Sequence, residues 1–177
     1  MALDSANVRV AVTGEISVGP TTASAPTAVS SALTGFAGLG YVSEDGVTES
    51  RDRSTNDIKA WQNADTVRTV VTEANLSYSF RLIETNTATL ELFYGSAAAA
   101  GDLTVVPAST GGRKSFVIDV VDGTELLRIY IPQGEVSEVG DVVYASGEAI
   151  GYEVTVRAYP DSTLGGSARI YSSALAA

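Results

Sequence analysis

The sequence predicts a mainly β protein, and three observations carry that expectation. Apolar and polar residues alternate in several long runs, as in Leu76, Tyr78, Phe80 and Leu82 against Ser77, Ser79 and Arg81. An Asp-Gly pair, Asp122-Gly123, separates two such runs. Apolar residues at helical spacing occur in one short segment alone. A period of two places alternate side chains on one face of a half-buried strand, and Asp-Gly between two strands signals a tight hairpin.

Taken in chain order, Val8, Val10 and Val12 alternate with Arg9 and Ala11 and predict a first strand over 8–12. Residues 19–35, rich in Pro, Thr, Ala and Ser, predict a surface loop with little to bury. Residues 43–65 are polar and mixed in charge, contain the only Trp of the chain, Trp61, and predict a long charged loop. A loop that long in a compact domain is usually functional or disordered, and an indole favours function.

The alternation of residues 75–84 predicts a strand. In the segment from Glu84 to Gly95, Leu90, Phe93 and Tyr94 fall at helical spacing, with Thr85 or Asn86 to cap the start and Gly95 to close the end. One short α-helix laid on the sheet is expected there, followed by a small-residue loop over 95–101. Phe116, Ile118 and Val120 pair by pattern with Leu127, Ile129 and Ile131 across a type I′ turn at Asp122-Gly123. Ile150, Tyr152, Val154, Val156 and Ala158 predict a last long strand.

Composition bounds the function. A chain of 177 residues and 18.3 kDa suits one domain, and 45% hydrophobic residues suffice for a core without staples. It has no Cys and no His. Disulfide frameworks, thiolate nucleophiles, Cys or His metal sites and the Ser-His-Asp triad are therefore excluded. The first ten residues lack the basic start and apolar run of a signal peptide, so none is expected. No apolar stretch approaches the roughly 20 residues that span a bilayer. With 21 acids against 11 bases the net charge is −10, which argues against charge-driven nucleic-acid binding.

Motif spacing adds few candidates. Gly111-Gly112-Arg113-Lys114-Ser115 has neither the upstream glycine nor the Gly-Lys contact of a phosphate-binding loop. Gly35, Gly38 and Gly40 miss dinucleotide spacing. Asn75-Leu76-Ser77 fits a glycosylation sequon but lies on a strand, and Glu44-Asp45 lacks calcium-ligand spacing. No catalytic, metal or cofactor residue is proposed. The charge distribution is uneven: between Asp119 and Asp161 there are nine acids and two bases, Arg128 and Arg157. A sheet carrying one sign of charge keeps an anion away.

The order of segments resembles a known family. Val8-Arg9-Val10-Ala11-Val12-Thr13-Gly14 leads into the Pro/Thr/Ala loop, then Gly40-Tyr41-Val42-Ser43-Glu44-Asp45-Gly46-Val47, then Asp57-Ile58-Lys59-Ala60-Trp61-Gln62, and then the run from Val67 to Gly95. This is similar to the major tail subunit, or tail tube protein, of long-tailed, siphovirus-type bacteriophages, most densely over residues 40–95. The resemblance implies a tail-tube-type β-sandwich or barrel with one flanking helix, occupying residues 1–177 as a single domain with loop arms near 19–35 and 43–65. The C-terminal immunoglobulin-like domain of some members is expected to be missing, since the chain ends soon after Tyr171. It also implies six-membered rings stacked into a hollow tube, assembled in the host bacterial cytoplasm as part of the virion tail. Partners would be further copies of the chain and the tape measure, tail terminator and tail tip proteins. DNA would pass through without tight binding, and no membrane would be involved.

On that basis the 43–65 segment is the expected contact between rings, with Arg51, Arg53, Asp57, Lys59, Trp61 and Asp65 as candidates. Asp119 and Glu153, each on the polar side of an alternating strand, are candidates to face the lumen. A rival from another class is a secreted or cell-surface β-sandwich that binds carbohydrate, for which the 13 aromatic residues would supply a stacking face.

Overall fold

A computed structural model describes residues 7–175. Eight strands, one α-helix and a terminal 3-10 turn follow in the order β1 (Thr13–Pro20), β2 (Ala37–Gly38), β3 (Val42–Lys59), β4 (Thr66–Leu82), α1 (Thr87–Tyr94), β5 (Lys114–Asp122), β6 (Glu125–Val139), β7 (Tyr152–Ala158), β8 (Arg169–Ser172) and Ser173–Leu175. All named pairings are antiparallel, in the order β2-β1-β5-β6-β7-β4-β3, with β8 also on β6.

The sheet folds over on β6. Residues 125–134 of that strand pair with β5 and residues 134–139 with β7, while β8 takes the 127–130 stretch of the same side as β7. The two wings close on one core: Ile16 and Val18 of β1, Phe116 and Ile118 of β5, and Ile131 of β6 meet Tyr78, Phe80 and Leu82 of β4 and Val154 and Val156 of β7. Burying a side chain of this size contributes about 1.5–3 kcal/mol. Gly134 sits at the fold, where an added Cβ would lie 2.6 Å from the Phe116 ring and 2.9 Å from Val156. Only glycine lets the strand pass between them.

Helix α1 closes one end of the core as the spacing predicts. The Asn86 side chain accepts from Thr89 N at 2.9 Å, and Gly95 ends the helix in the left-handed region at φ 62°. The buried stripe is shifted, however, to Thr89 and Leu92, with Leu90 and Phe93 partly covered. Thr89 enters the core because its hydroxyl donates to Leu39 O at 2.9 Å, which removes the cost of burying it.

Four expectations change. Residues 8–12 are not a strand: Val8, Val10 and Val12 are exposed, and β1 starts at Thr13. Its partner β5 ends at Asp122, opposite Glu125 in the hairpin, so no ladder remains for the earlier residues to join. The 19–35 segment is not an idle loop. Beyond β1 it lies as a strap over the outer face of β5 and β6, with Pro26 buried, Tyr171 Oη donating to Pro26 O and Arg128 donating to Ser31 O at 2.6 Å. Residues 43–65 form no open loop but the first strand and the turn, over 60–65, of the β3–β4 hairpin. The turn of the β5–β6 hairpin is Gly123-Thr124, with Asp122 already paired in the strand, and only Gly123 has positive φ, at 61°. That is the II′ pattern, which needs one glycine at its first position, and not I′.

Candidate assembly surfaces

The β3–β4 hairpin is 18 and 17 residues per strand, about three times the usual length. Its inner half belongs to the body, since Leu76 to Leu82 pair with Ala158 to Tyr152. Beyond Leu76 the hairpin loses β7 and continues as a two-stranded arm of roughly 25–30 Å, at about 3.3 Å per residue. Residues 51–59 and 61–74 are all exposed. Five large apolar side chains stand in solvent along it: Trp61 at 98%, Val67 at 63%, Val71 at 50%, Ile58 at 47% and Val70 at 36% of full exposure.

The base of the arm is pinned to the body. Tyr78, buried in the core, lies beside Glu49; burial first and the Glu49 carboxylate second hold its phenol well above the usual tyrosine range. Glu49 in turn accepts from Arg51 Nε at 2.7 Å, and this hydrogen bond raises the guanidinium. Of the candidate contact residues, Arg51 and Arg53 therefore mark the root of the arm. Asp57, which accepts from Thr69 Oγ1 at 2.6 Å, and Lys59 lie on its distal strand, with Trp61 and Asp65 in the turn. Asn63 and Ala64 in that turn both have positive φ, near 60°.

The second surface is the polar face of the wing made by β3, β4, β7 and the end of β6. Cross-strand rows run Ser50–Ser77–Arg157–Glu135, Thr48–Ser79–Thr155–Glu138 and Arg81–Glu153. Ser79 and Thr155 share a hydrogen bond at 2.9 Å, and Arg157 donates to Asn75. With Asp52 opposite Asn75, this face carries four acids, Asp52, Glu135, Glu138 and Glu153, and two bases, Arg81 and Arg157. The strand alternation puts Tyr152, Val154 and Val156 into the core and leaves Glu153 exposed on this face.

The two lumen candidates separate here. Asp119 lies on the outer face of the other wing and is held by Arg128, beneath the strap. Its carboxylate serves a structural ion pair and is only a quarter exposed.

No reactive centre accompanies these surfaces. Among the described residues no cluster of three or more Asp or Glu could hold a metal ion. Lys114 opens a strand, so the Gly111–Ser115 segment does not lead into a helix N-terminus. Tyr78, Phe80, Phe116 and Tyr152 are core residues, which leaves no ring platform for a sugar on these strands.

An arm that holds Ile58, Trp61 and three valines in solvent beside a polar sheet is a surface of the kind that other chains cover. Residues 1–174 match the phage tail tube protein family, and the chain belongs to it. It is a structural protein of the virion tail and not an enzyme. Among curated proteins, none matches by sequence. Solved structures show the same fold at low identity. One is a chain of the "anti-feeding prophage cap (AFP tube terminating cap)", 8% identical with a TM-score of 0.56 over 98% of this chain and 95% of that one. Another is a chain of the "PVC sheath-tube complex in extended state" of an extracellular contractile injection system, 9% identical with a TM-score of 0.53 over 96% and 98%.

Proposed function

We propose that this chain acts as one tail-tube domain, with the strap and the arm as its two extensions, and that six copies close into a ring. Rings stack into a hollow tube, with the arm reaching from each ring to the next. The observation that carries the reading is the arm. A lone two-stranded hairpin is marginal in water, and one bearing exposed Trp, Ile and Val gains stability only when another chain covers it. Arg51, Arg53, Asp57, Lys59, Trp61 and Asp65 supply the contact, Trp61 as its anchor and the charges as its polar surround.

The free edge supports the ring. β3 pairs only with β4, and such an edge invites pairing with a further strand. Joining wings edge to edge would close a barrel whose inner surface is the polar face. Four acids against two bases there make the bore net negative, so DNA passes without adhering. Glu153 is the lumen residue of this reading. Asp119, engaged by Arg128, is set aside. Tape measure, tail terminator and tail tip proteins are the other partners, and assembly takes place in the host cytoplasm. Structural neighbours whose descriptions name a tube and a tube-terminating cap are consistent with this.

The test is Trp61→Ala. The isolated variant should melt like the parent, because Trp61 touches solvent, yet negative-stain microscopy should show rings or short stacks in place of long tubes. Tubes of normal length would overturn the role of the arm. The carbohydrate-binding alternative predicts persistent monomers at every concentration and is not favoured by the family.

A further inference from the structure

We infer that the tip of the arm docks into one groove of a second copy, the groove between α1, residues 105–110 and the end of β6. This rests on the stacking reading above and adds the surface that receives the arm. The β4–β7 ladder fixes the geometry. The arm leaves it at the Leu76–Ala158 pair, whereas residues 140–149 enter it at the Leu82–Tyr152 pair, the other end. The arm and the 140–144 side of the groove thus lie at opposite ends of that ladder. A contact between unlike surfaces at opposite ends repeats without closing, which is how rings become a tube.

The groove fits the tip in size and chemistry. Its open volume is about 560 Å³, and it is lined by Phe93, Val105, Val106, Val139, Val142 and Tyr144. Val105, Val106, Val139 and Tyr144 are exposed, Tyr144 at 70%. The Tyr144 hydroxyl lies beside Tyr94 and raises its phenol. An indole in the groove would cover both apolar surfaces that the isolated subunit leaves wet.

Charge points to the same pairing. The distal part of the arm, residues 57–68, carries Lys59 and Arg68 beside Asp57 and Asp65. The groove is lined by two acids, Glu138 and Asp141, and no base. Complementary signs fix register and exclude the head-to-head arrangement, in which acidic grooves would face each other.

Because the chain has no Cys, cross-linking tests the contact directly. Tubes of the double variant Gln62→Cys, Val143→Cys, mildly oxidised, should give a ladder of covalent multimers on a non-reducing gel, and either single variant should give none. Tubes that form without a ladder would overturn the groove while leaving the stacking reading intact. Absence of stacked rings even from the parent would overturn both. If the cysteine variant does not assemble, charge exchange decides. Lys59→Asp and Asp141→Lys should each lower tube yield about tenfold, and together restore it. Two harmless single changes, or a double change with no recovery, would refute the contact.

Discussion

Asp119 and Arg128 face each other across the β5–β6 ladder, and the guanidinium donates Nε and Nη2 to the two carboxylate oxygens at 2.6 and 2.8 Å. The same guanidinium reaches Ser31 O, so one cross-strand pair also holds the strap down. The hydrogen bond to Asp119 keeps Arg128 firmly protonated despite its burial.

Removing one partner of a buried pair leaves the other charge uncompensated, at a cost of about 3–5 kcal/mol. Asp119 is a quarter exposed, so Asp119→Ala should cost less than a fully buried pair, about 2–3 kcal/mol, read as a lower denaturation midpoint. Asp119→Leu with Arg128→Met should recover most of the loss. An Asp119→Ala variant with the parent midpoint would show that the pair is idle.

Gly123→Val tests the β5–β6 turn. A β-branched residue at φ 61° costs about 1–3 kcal/mol, although an added Cβ there meets open space. The loss should therefore be conformational alone, and Gly123→Asn should lose markedly less. Equal melting of the Val variant and the parent would refute the turn assignment.

Alkaline unfolding should report Tyr78. Its folded phenol is held above the usual tyrosine value near 10, so the native state retains a proton that the unfolded chain releases. That contribution is fully present below about pH 10 and declines as pH rises above it. Tyr78→Phe should flatten the fall in melting temperature above pH 10. An unchanged slope would place the titrating group elsewhere.

Glu153→Lys tests the bore. The residue is exposed and stands opposite Arg81, so the change should cost at most about 1 kcal/mol from like-charge pairing and leave tubes intact. Tubes of the variant should retain short duplex DNA at low salt and release it as salt rises. Retention identical to that of the parent would mean that this face does not line the bore.

Local patterns were legible wherever one side of a strand meets the core. The alternation at 76–82 and 152–158, the 115–131 hairpin and the caps Asn86 and Gly95 all follow from side-chain period and turn chemistry. The arm was illegible for the converse reason. From Arg51 to Ala74 neither face is buried by the chain itself, so no hydrophobic period marks the strands and the segment resembles a loop. The strap was missed because its anchors, Arg128 and Tyr171, lie about a hundred or more residues away in sequence.

By itself the sequence determined that this protein is mainly β, acidic and without the Cys and His on which thiolate and Ser-His-Asp catalysts depend, because those properties rest on composition and on contacts between near neighbours. Tertiary structure alone decided that the charged segment is a hairpin, that Asp119 belongs to Arg128, and that the arm leaves the β4–β7 ladder at the end opposite residues 140–149. Such facts depend on register and on how the sheet folds at Gly134. Both are set by the mutual packing of Phe116, Val156 and their neighbours across the core, which no local pattern encodes.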